Sequence, residues 1–227
     1  MSWNAKPSGS YTFDSSEGKE NTREIASFLS SRGYTVSSQA GIAGNSFAES
    51  GLNPWRWQSD IVNISGGYGL FQYTPASKYI DGASDVQHYA PNFSTTDVSV
   101  GAQPTDAIAQ LTVLDSNILG TWVGTCWRSY WSPSDYPDLY AASQRILQTY
   151  GDNGLLTLDN FKTINNVWDS TFTFLACFEG PAVPNMDSRY SYASMAYLII
   201  TGSGPDPDPP TPTTPRKLPL WMMLRPF

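Results

Sequence analysis

Residues 44–54 read GNSFAESGLNP, and residues 66–73 read GGYGLFQY. Glu49 closes an apolar stretch immediately before Ser50 and Gly51, and only one other glutamate, Glu179, occurs after position 24. The spacing predicts a helix over 38–49, with Ser37 or Ser38 as its cap and Gly51 ending it. Ile42 and Glu49 are seven residues apart and share a helical face, with Ala43 and Phe47 near it. A carboxylate there meets an apolar surround and the negative end of the helix dipole. Both disfavour its charged form, so the Glu49 pKa is expected above the ordinary value. A carboxylic acid that stays protonated near neutral pH is what protonates the leaving oxygen of a glycosidic bond. An ordinary surface glutamate at a helix end is the alternative reading.

The second stretch bears on that choice. Glycines let a backbone approach a ligand closely, and Gln72 offers an amide among Tyr68, Phe71 and Tyr73. Sugars need both kinds of contact, rings for their CH faces and polar groups for their hydroxyls. A plain hairpin packed by Leu70 and Phe71 fits the same residues. Between the two stretches, Trp55 and Trp57 in NPWRWQ are candidates for an apolar wall beside the acid. Glycosidases of the two-carboxylate kind need a partner group. Asp60, eleven residues after Glu49, is the better candidate and Asp81 the other. Farther along, Trp122, Trp127, Tyr130 and Trp131 either extend a cleft or pack in the core, with core favoured for Trp127.

Working outward, residues 1–19 read as a loose polar arm. A helix follows, with Asn21 and Glu24 at capping-box spacing, Ile25, Phe28 and Leu29 on one face, and Gly33 at its end. Residues 53–81 are rich in Gly, Pro, Asn and aromatics and read as a short hairpin region, and 82–102 as a loop containing His88. Pro104 opens a helix carrying Ile108, Leu111, Leu114 and Ile118 and ending near Gly120. Leu139, Ala142, Ile146 and Tyr150 mark another, closed by Gly151. Residues 159–177 read as helix, with strand still open, and Asp187 as the cap of a last helix to about Ile200. The composition then changes: eight of the seventeen prolines fall after Gly202. The division is an arm over 1–19, a domain over 20–201, an extended Pro-rich linker over 202–215 and an apolar peptide over 216–227. The segment Leu218–Phe227 is expected to anchor in a groove on another protein, or else to fold back on the domain.

Composition excludes several classes. The net charge of -7 leaves no basic stripe for nucleic acid, and no segment has the length of a membrane span. A single histidine, His88, rules out a multi-histidine metal site, and the two cysteines, Cys126 and Cys177, lack zinc spacing. No metal or other cofactor is implied. The N-terminus has no basic stretch followed by an apolar run, so no signal peptide is expected.

AGIAGNSFAESGLNP (40–54), GGYGLFQY (66–73) and FLACFEGPAVPNMDSRYSYASMAY (174–197) together resemble the phage tail lysozymes. These are murein-cutting domains of lysozyme-like fold carried on virion tails, and goose-type lysozymes and lytic transglycosylases are similar. The three segments stand in family order and span roughly residues 20–200. The resemblance implies a mainly α (α+β) domain of about six helices with a small β-hairpin region. It implies Glu49 as general acid, Gly69, Leu70 and Gln72 lining the cleft, and Glu179 as a structural residue pairing with Arg189 or capping a loop, with a direct catalytic role for Glu179 as the less favoured alternative. The expected substrate is the peptidoglycan glycan strand, cut at the β-1,4 bond between N-acetylmuramic acid and N-acetylglucosamine. The expected place is a virion tail acting at the cell wall, tethered to another tail protein through the C-terminal peptide. Hydrolysis and anhydro-ring formation are both compatible with a single glutamate. The other readings are a structural or glycan-binding tail protein of the same fold without cleavage, and a bacterial transglycosylase serving a secretion machine.

Overall fold

The computed structural model describes residues 3–6, 9–61, 63, 65–76, 106–116 and 132–203. The expectations for residues 82–102, for Trp122, Cys126, Trp127, Tyr130 and Trp131, and for the tail beyond 203 lie outside them. Seven α-helices make up the described residues: α1 (Ser16–Ser30), α2 (Val36–Ser50), α3 (Asp106–Asp115), α4 (Pro137–Tyr150), α5 (Leu158–Lys162), α6 (Val167–Phe174) and α7 (Met186–Thr201). A 3₁₀ turn spans Gln58–Asp60, and a π-helical turn, Leu175–Glu179, follows α6 without a break.

The expected β-hairpin is reduced to isolated bridges. Trp57 pairs with Tyr68, and Tyr68 with Tyr73, with no strand among the described residues. The reason is local: Ser59, Asp60, Gly69 and Gln72 all hold positive φ, so the backbone never runs extended long enough for a ladder. The protein is mainly helical.

α2 is the central element, packed between α6, α7 and α1. Its small residues make this possible. A Cβ on Gly44 would lie 2.5 Å from the Ala193 nitrogen, so α7 crosses α2 in direct backbone contact. Thr35 caps α2, its side chain accepting from the Ser38 N–H, where the sequence suggested Ser37 or Ser38. Gly51 ends the helix as expected, in the left-handed conformation at φ 61°. Around this axis Ile25, Leu29, Ile42, Leu111, Phe161, Phe172 and Phe174 form a buried core. Each such side chain contributes roughly 1.5–3 kcal/mol by burial.

Several boundaries differ from the expected ones. α1 begins at Ser16 under a Ser15 cap, and Asn21 lies inside it, fully buried. Its amide serves the arm instead: Nδ2 donates to the Asn4 and Leu52 carbonyls, and Oδ1 accepts from the Asn4 N–H. The arm is therefore docked. Trp3 and Phe13 are buried, Phe13 stacks on Phe47 at 4.3 Å, and Asn53 donates to the carbonyls of Lys6 and Gly9. The helix read over 159–177 breaks at Thr163–Asn166, where Asn166 caps α6. Asp187 stands in the first turn of α7 rather than at its cap, which is Asn185.

Candidate active site

α2 delivers Glu49 to the mouth of a cavity of about 570 Å³. Phe71, Tyr73, Phe178 and Pro181 line it together with Arg56, Gln58, Ser59 and Gln72. The aromatic residues form a packed cluster: Phe178 lies edge-on to Phe71 at 5.6 Å and to Tyr73 at 6.1 Å, and stacks on Phe174 at 4.7 Å. Such rings hold one another rigidly.

Glu49 is not solitary. Arg189, on α7, donates Nη2 to Glu49 Oε1 at 2.5 Å and Nη1 to Asn45 Oδ1 at 2.8 Å. Asn45 and Glu49 are one helical turn apart, so together they form a cradle for one guanidinium. Arg189 is buried, with a side chain 8% exposed, whereas the Glu49 side chain keeps 22%. The second carboxylate oxygen of Glu49 has no protein partner among the described residues.

The expected pairing of Glu179 with Arg189 is thus corrected: both amino groups of Arg189 are taken by α2. Glu179 lines the same cavity, delivered by the π turn, whose extra residue per turn rotates the side chain relative to a continued α-helix. Gly180 then ends the turn at φ 55°. Glu179 Oε1 is buried and accepts no hydrogen bond, and the Arg189 Nε is buried and donates none. Burial, and next the Glu49 charge, push the Glu179 carboxyl well above the usual carboxylate range, against the opposing pull of Arg189. Burial and Glu179 likewise raise the Tyr73 phenol.

The remaining sequence candidates divide. Gln72 and Tyr73 line the cavity, but the Gln72 amide nitrogen is occupied by the carbonyls of Arg56 and Gly69. Gln72 shapes the wall from within. Gly69 and Leu70 face away from the cavity: a Cβ on Gly69, at φ 80°, would stand 2.3 Å from Gln110 Oε1, and the Leu70 N–H donates to that same oxygen at 2.6 Å. Gln110 also donates to the Pro54 carbonyl, clamping both loops behind the cleft. Trp55, Trp57 and Tyr68 are buried, Trp57 packed on Tyr68 at 4.5 Å, and none lines the cavity. Asp60 sits beside Ser59 at the rim, but its Oδ1 accepts from the Gly9 N–H at 2.8 Å and faces Arg56 at 3.4 Å. It fastens the arm.

Arg189, Asn45, Gln110 and Arg56 were not picked out as site residues by sequence reasoning. The signal for the first pair was the Asn45–Glu49 spacing, an i,i+4 polar pair on one face of α2. Nothing local marks Gln110.

A mainly helical domain whose central helix ends in an acid over an aromatic cleft is the class of architecture these residues define. The phage tail lysozyme family matches residues 20–200, and the chain belongs to that family. Morphogenesis protein 1 of Bacillus phage B103 is 44% identical over 64 residues. That stretch is 28% of this chain and only 18% of the relative's own length. No helix among the described residues is long and apolar enough to cross a membrane.

Proposed function

We propose that this protein is a peptidoglycan glycosidase that cuts the β-1,4 bond between N-acetylmuramic acid and N-acetylglucosamine, with Glu49 as general acid. One observation carries the reading: the Glu49 carboxyl sits at the mouth of a cavity walled by Phe71, Tyr73 and Phe178, with one oxygen unpaired. The membership in the phage tail lysozyme family and the likeness to a phage morphogenesis protein support a place on a virion tail, opening the wall during infection. The net charge of -7 fits a tethered enzyme, which needs no electrostatic capture by the wall. In this reading Leu218–Phe227 attaches the domain to another tail protein.

In the cleft, a glycan strand lies along the aromatic cluster, the scissile oxygen reaching Glu49. A proton passes from Glu49 to that oxygen as the C1–O bond breaks, and a water or the muramic acid C6 hydroxyl then takes the C1 position. Arg189 holds the carboxylate that results.

A reading without chemistry, a tail protein that grips murein, is favoured by the ion pair itself, because a guanidinium at 2.5 Å occupies the acid. A murein zymogram decides between them. The parent chain is expected to leave a cleared band, and Glu49→Gln to reduce clearing by about 10²–10⁴-fold, the usual contribution of a general acid. Equal clearing by the two would end the assignment of Glu49. Absence of clearing by the parent would favour the gripping protein. Mass spectrometry of the released muropeptides separates hydrolysis from anhydro-ring formation.

A further inference from the structure

The cleft holds two carboxyls and one cation. Glu49, from the end of α2, and Glu179, from the π turn after α6, line the same cavity, and Arg189, from α7, lies within electrostatic reach of both. Tyr73 lies within electrostatic reach of Glu179, and both Tyr73 and Arg56 line the cavity. Arg189 is committed to Glu49 through Nη2 and to Asn45 through Nη1, while its Nε and Glu179 Oε1 are both buried and without partners. Unsatisfied buried polar atoms are costly, and a buried acceptor and a buried donor within electrostatic reach of each other point to a second arrangement in which they meet.

We infer that Glu49 and Glu179 share one proton, and that Arg189 pairs with whichever of the two lacks it, so that Glu179 supplies Glu49 with the proton used in catalysis. This rests on the reading of Glu49 as the acid, and it gives Glu179 a positioning role exercised through Glu49. In the resting cleft the proton is on Glu179, and the Glu49 carboxylate is held by Arg189. When a glycan strand fills the cavity, the Glu179 O–H bond breaks and an O–H bond forms on Glu49. The negative charge moves to Glu179, and the Arg189 Nε, previously idle, turns to receive it. Glu49 then protonates the leaving oxygen. The proton released by the water or hydroxyl that adds at C1 returns to the pair, so the pair ends each turnover with the one proton it began with. Burial and the neighbouring Glu49 charge, which hold the Glu179 carboxyl well above the usual range, agree with the resting location of the proton.

The test uses the full chain with Glu179→Gln and Glu179→Asp. Glu179→Gln keeps the shape and hydrogen-bonding capacity of a neutral acid, so a merely structural Glu179 would tolerate it. The expected result is a fall in murein cleavage of about tenfold or more at neutral pH. Activity should recover as the pH is lowered and Glu49 takes its proton from solvent. Glu179→Asp restores part of the neutral-pH rate. A Glu179→Gln enzyme with the parent's rate and pH profile overturns the inference, and one that clears nothing at any pH overturns it too, unless its melting temperature has collapsed.

Infrared difference spectroscopy gives a readout independent of murein. The parent at neutral pH is expected to show a protonated-carboxyl band that disappears both in Glu179→Gln and in Glu49→Gln, because removing Glu49 releases Arg189 to ionise Glu179. A band that survives Glu49→Gln means that the proton belongs to Glu179 alone, and the sharing is wrong. Failure of Glu49 as the acid shows separately, as a Glu49→Gln chain that still clears murein.

Discussion

Among the arginine–carboxylate pairs of the described residues, Arg145–Asp169 and Arg189–Glu49 are built differently. Arg145 on α4 holds Asp169 on α6 through two bonds, Nη1 to Oδ2 at 2.8 Å and Nη2 to Oδ1 at 2.5 Å. Both oxygens of Asp169 are used, and its side chain is 2% exposed. Arg189 holds Glu49 through one oxygen only, and the other is left at a cavity mouth beside a second carboxyl. In the first pair both carboxylate oxygens are engaged and α4 is held to α6, although the Arg145 Nε is buried and donates no hydrogen bond. The second leaves bonding capacity over, and a group with capacity to spare in a cleft is one that a ligand or a proton can use.

The comparison is broken most directly at Asp169. Asp169→Ala leaves Arg145, 30% exposed in its side chain, without its carboxylate. The expected cost is about 3 kcal/mol, a fall in Tm on the order of 6–12 °C for a chain of this size, with the cleft's activity intact in the folded fraction. Thermal unfolding followed by circular dichroism, beside a zymogram at low temperature, measures both. A loss of activity without loss of stability would mean that the two pairs do not divide the labour.

A second comparison uses pH. The Glu179 carboxyl is raised in the folded state above its unfolded value. Its contribution to stability is therefore fully present below the ordinary glutamate pKa of about 4.3 and is lost as the pH rises through the folded value. Chemical denaturation from acid to alkaline pH should show the parent losing stability relative to Glu179→Gln, with a slope of at most about 1.4 kcal/mol per pH unit. A difference that stays flat with pH would place the proton elsewhere.

The same contrast explains what could be read from the chain alone. α2 was legible because its apolar run is closed by a glycine, and Gly51 adopts the left-handed conformation that such a stop requires. Glu49 was legible for the same reason, as a carboxylate at the end of that run. The hairpin was not, because Gly, Gln and aromatic residues suit a bridged irregular loop as well as they suit strands, and the positive φ of Ser59, Asp60 and Gln72, none of them glycine, is not marked in the sequence. The arm read as loose because it is rich in polar residues and glycine, yet Asn21, Asn53 and Asp60 meet the backbone groups of Asn4, Lys6 and Gly9. Trp55 and Trp57 were assigned to the cleft by nearness in sequence, but both are buried and the cleft's rings come from Phe71, Tyr73 and Phe178. The environment of Glu49 was the largest omission. A helix dipole and an apolar face are local properties, whereas Arg189 arrives from 140 residues away.

The finest test of the difference between the pairs is a double-mutant cycle on the two cleft glutamates. Glu49→Gln alone removes Arg189's partner, but Glu179 is there to ionise in its place, so the stability change should be small. Glu179→Gln alone removes a carboxyl that is neutral at rest, and its cost should also be small. The double variant leaves the buried Arg189 with Asn45 and no carboxylate, which nothing nearby can repair. Its destabilisation should exceed the sum of the singles by about 1 kcal/mol, within the range found for residues that share a partner. The coupling should shrink toward zero with Arg189→Met as the background, because the cation that links the two carboxyls is gone. No comparable rescue exists for Arg145, where Asp169 is the carboxylate seen to bond it among the described residues. Simple additivity in the cleft would mean that Arg189 serves Glu49 alone, as Arg145 serves Asp169.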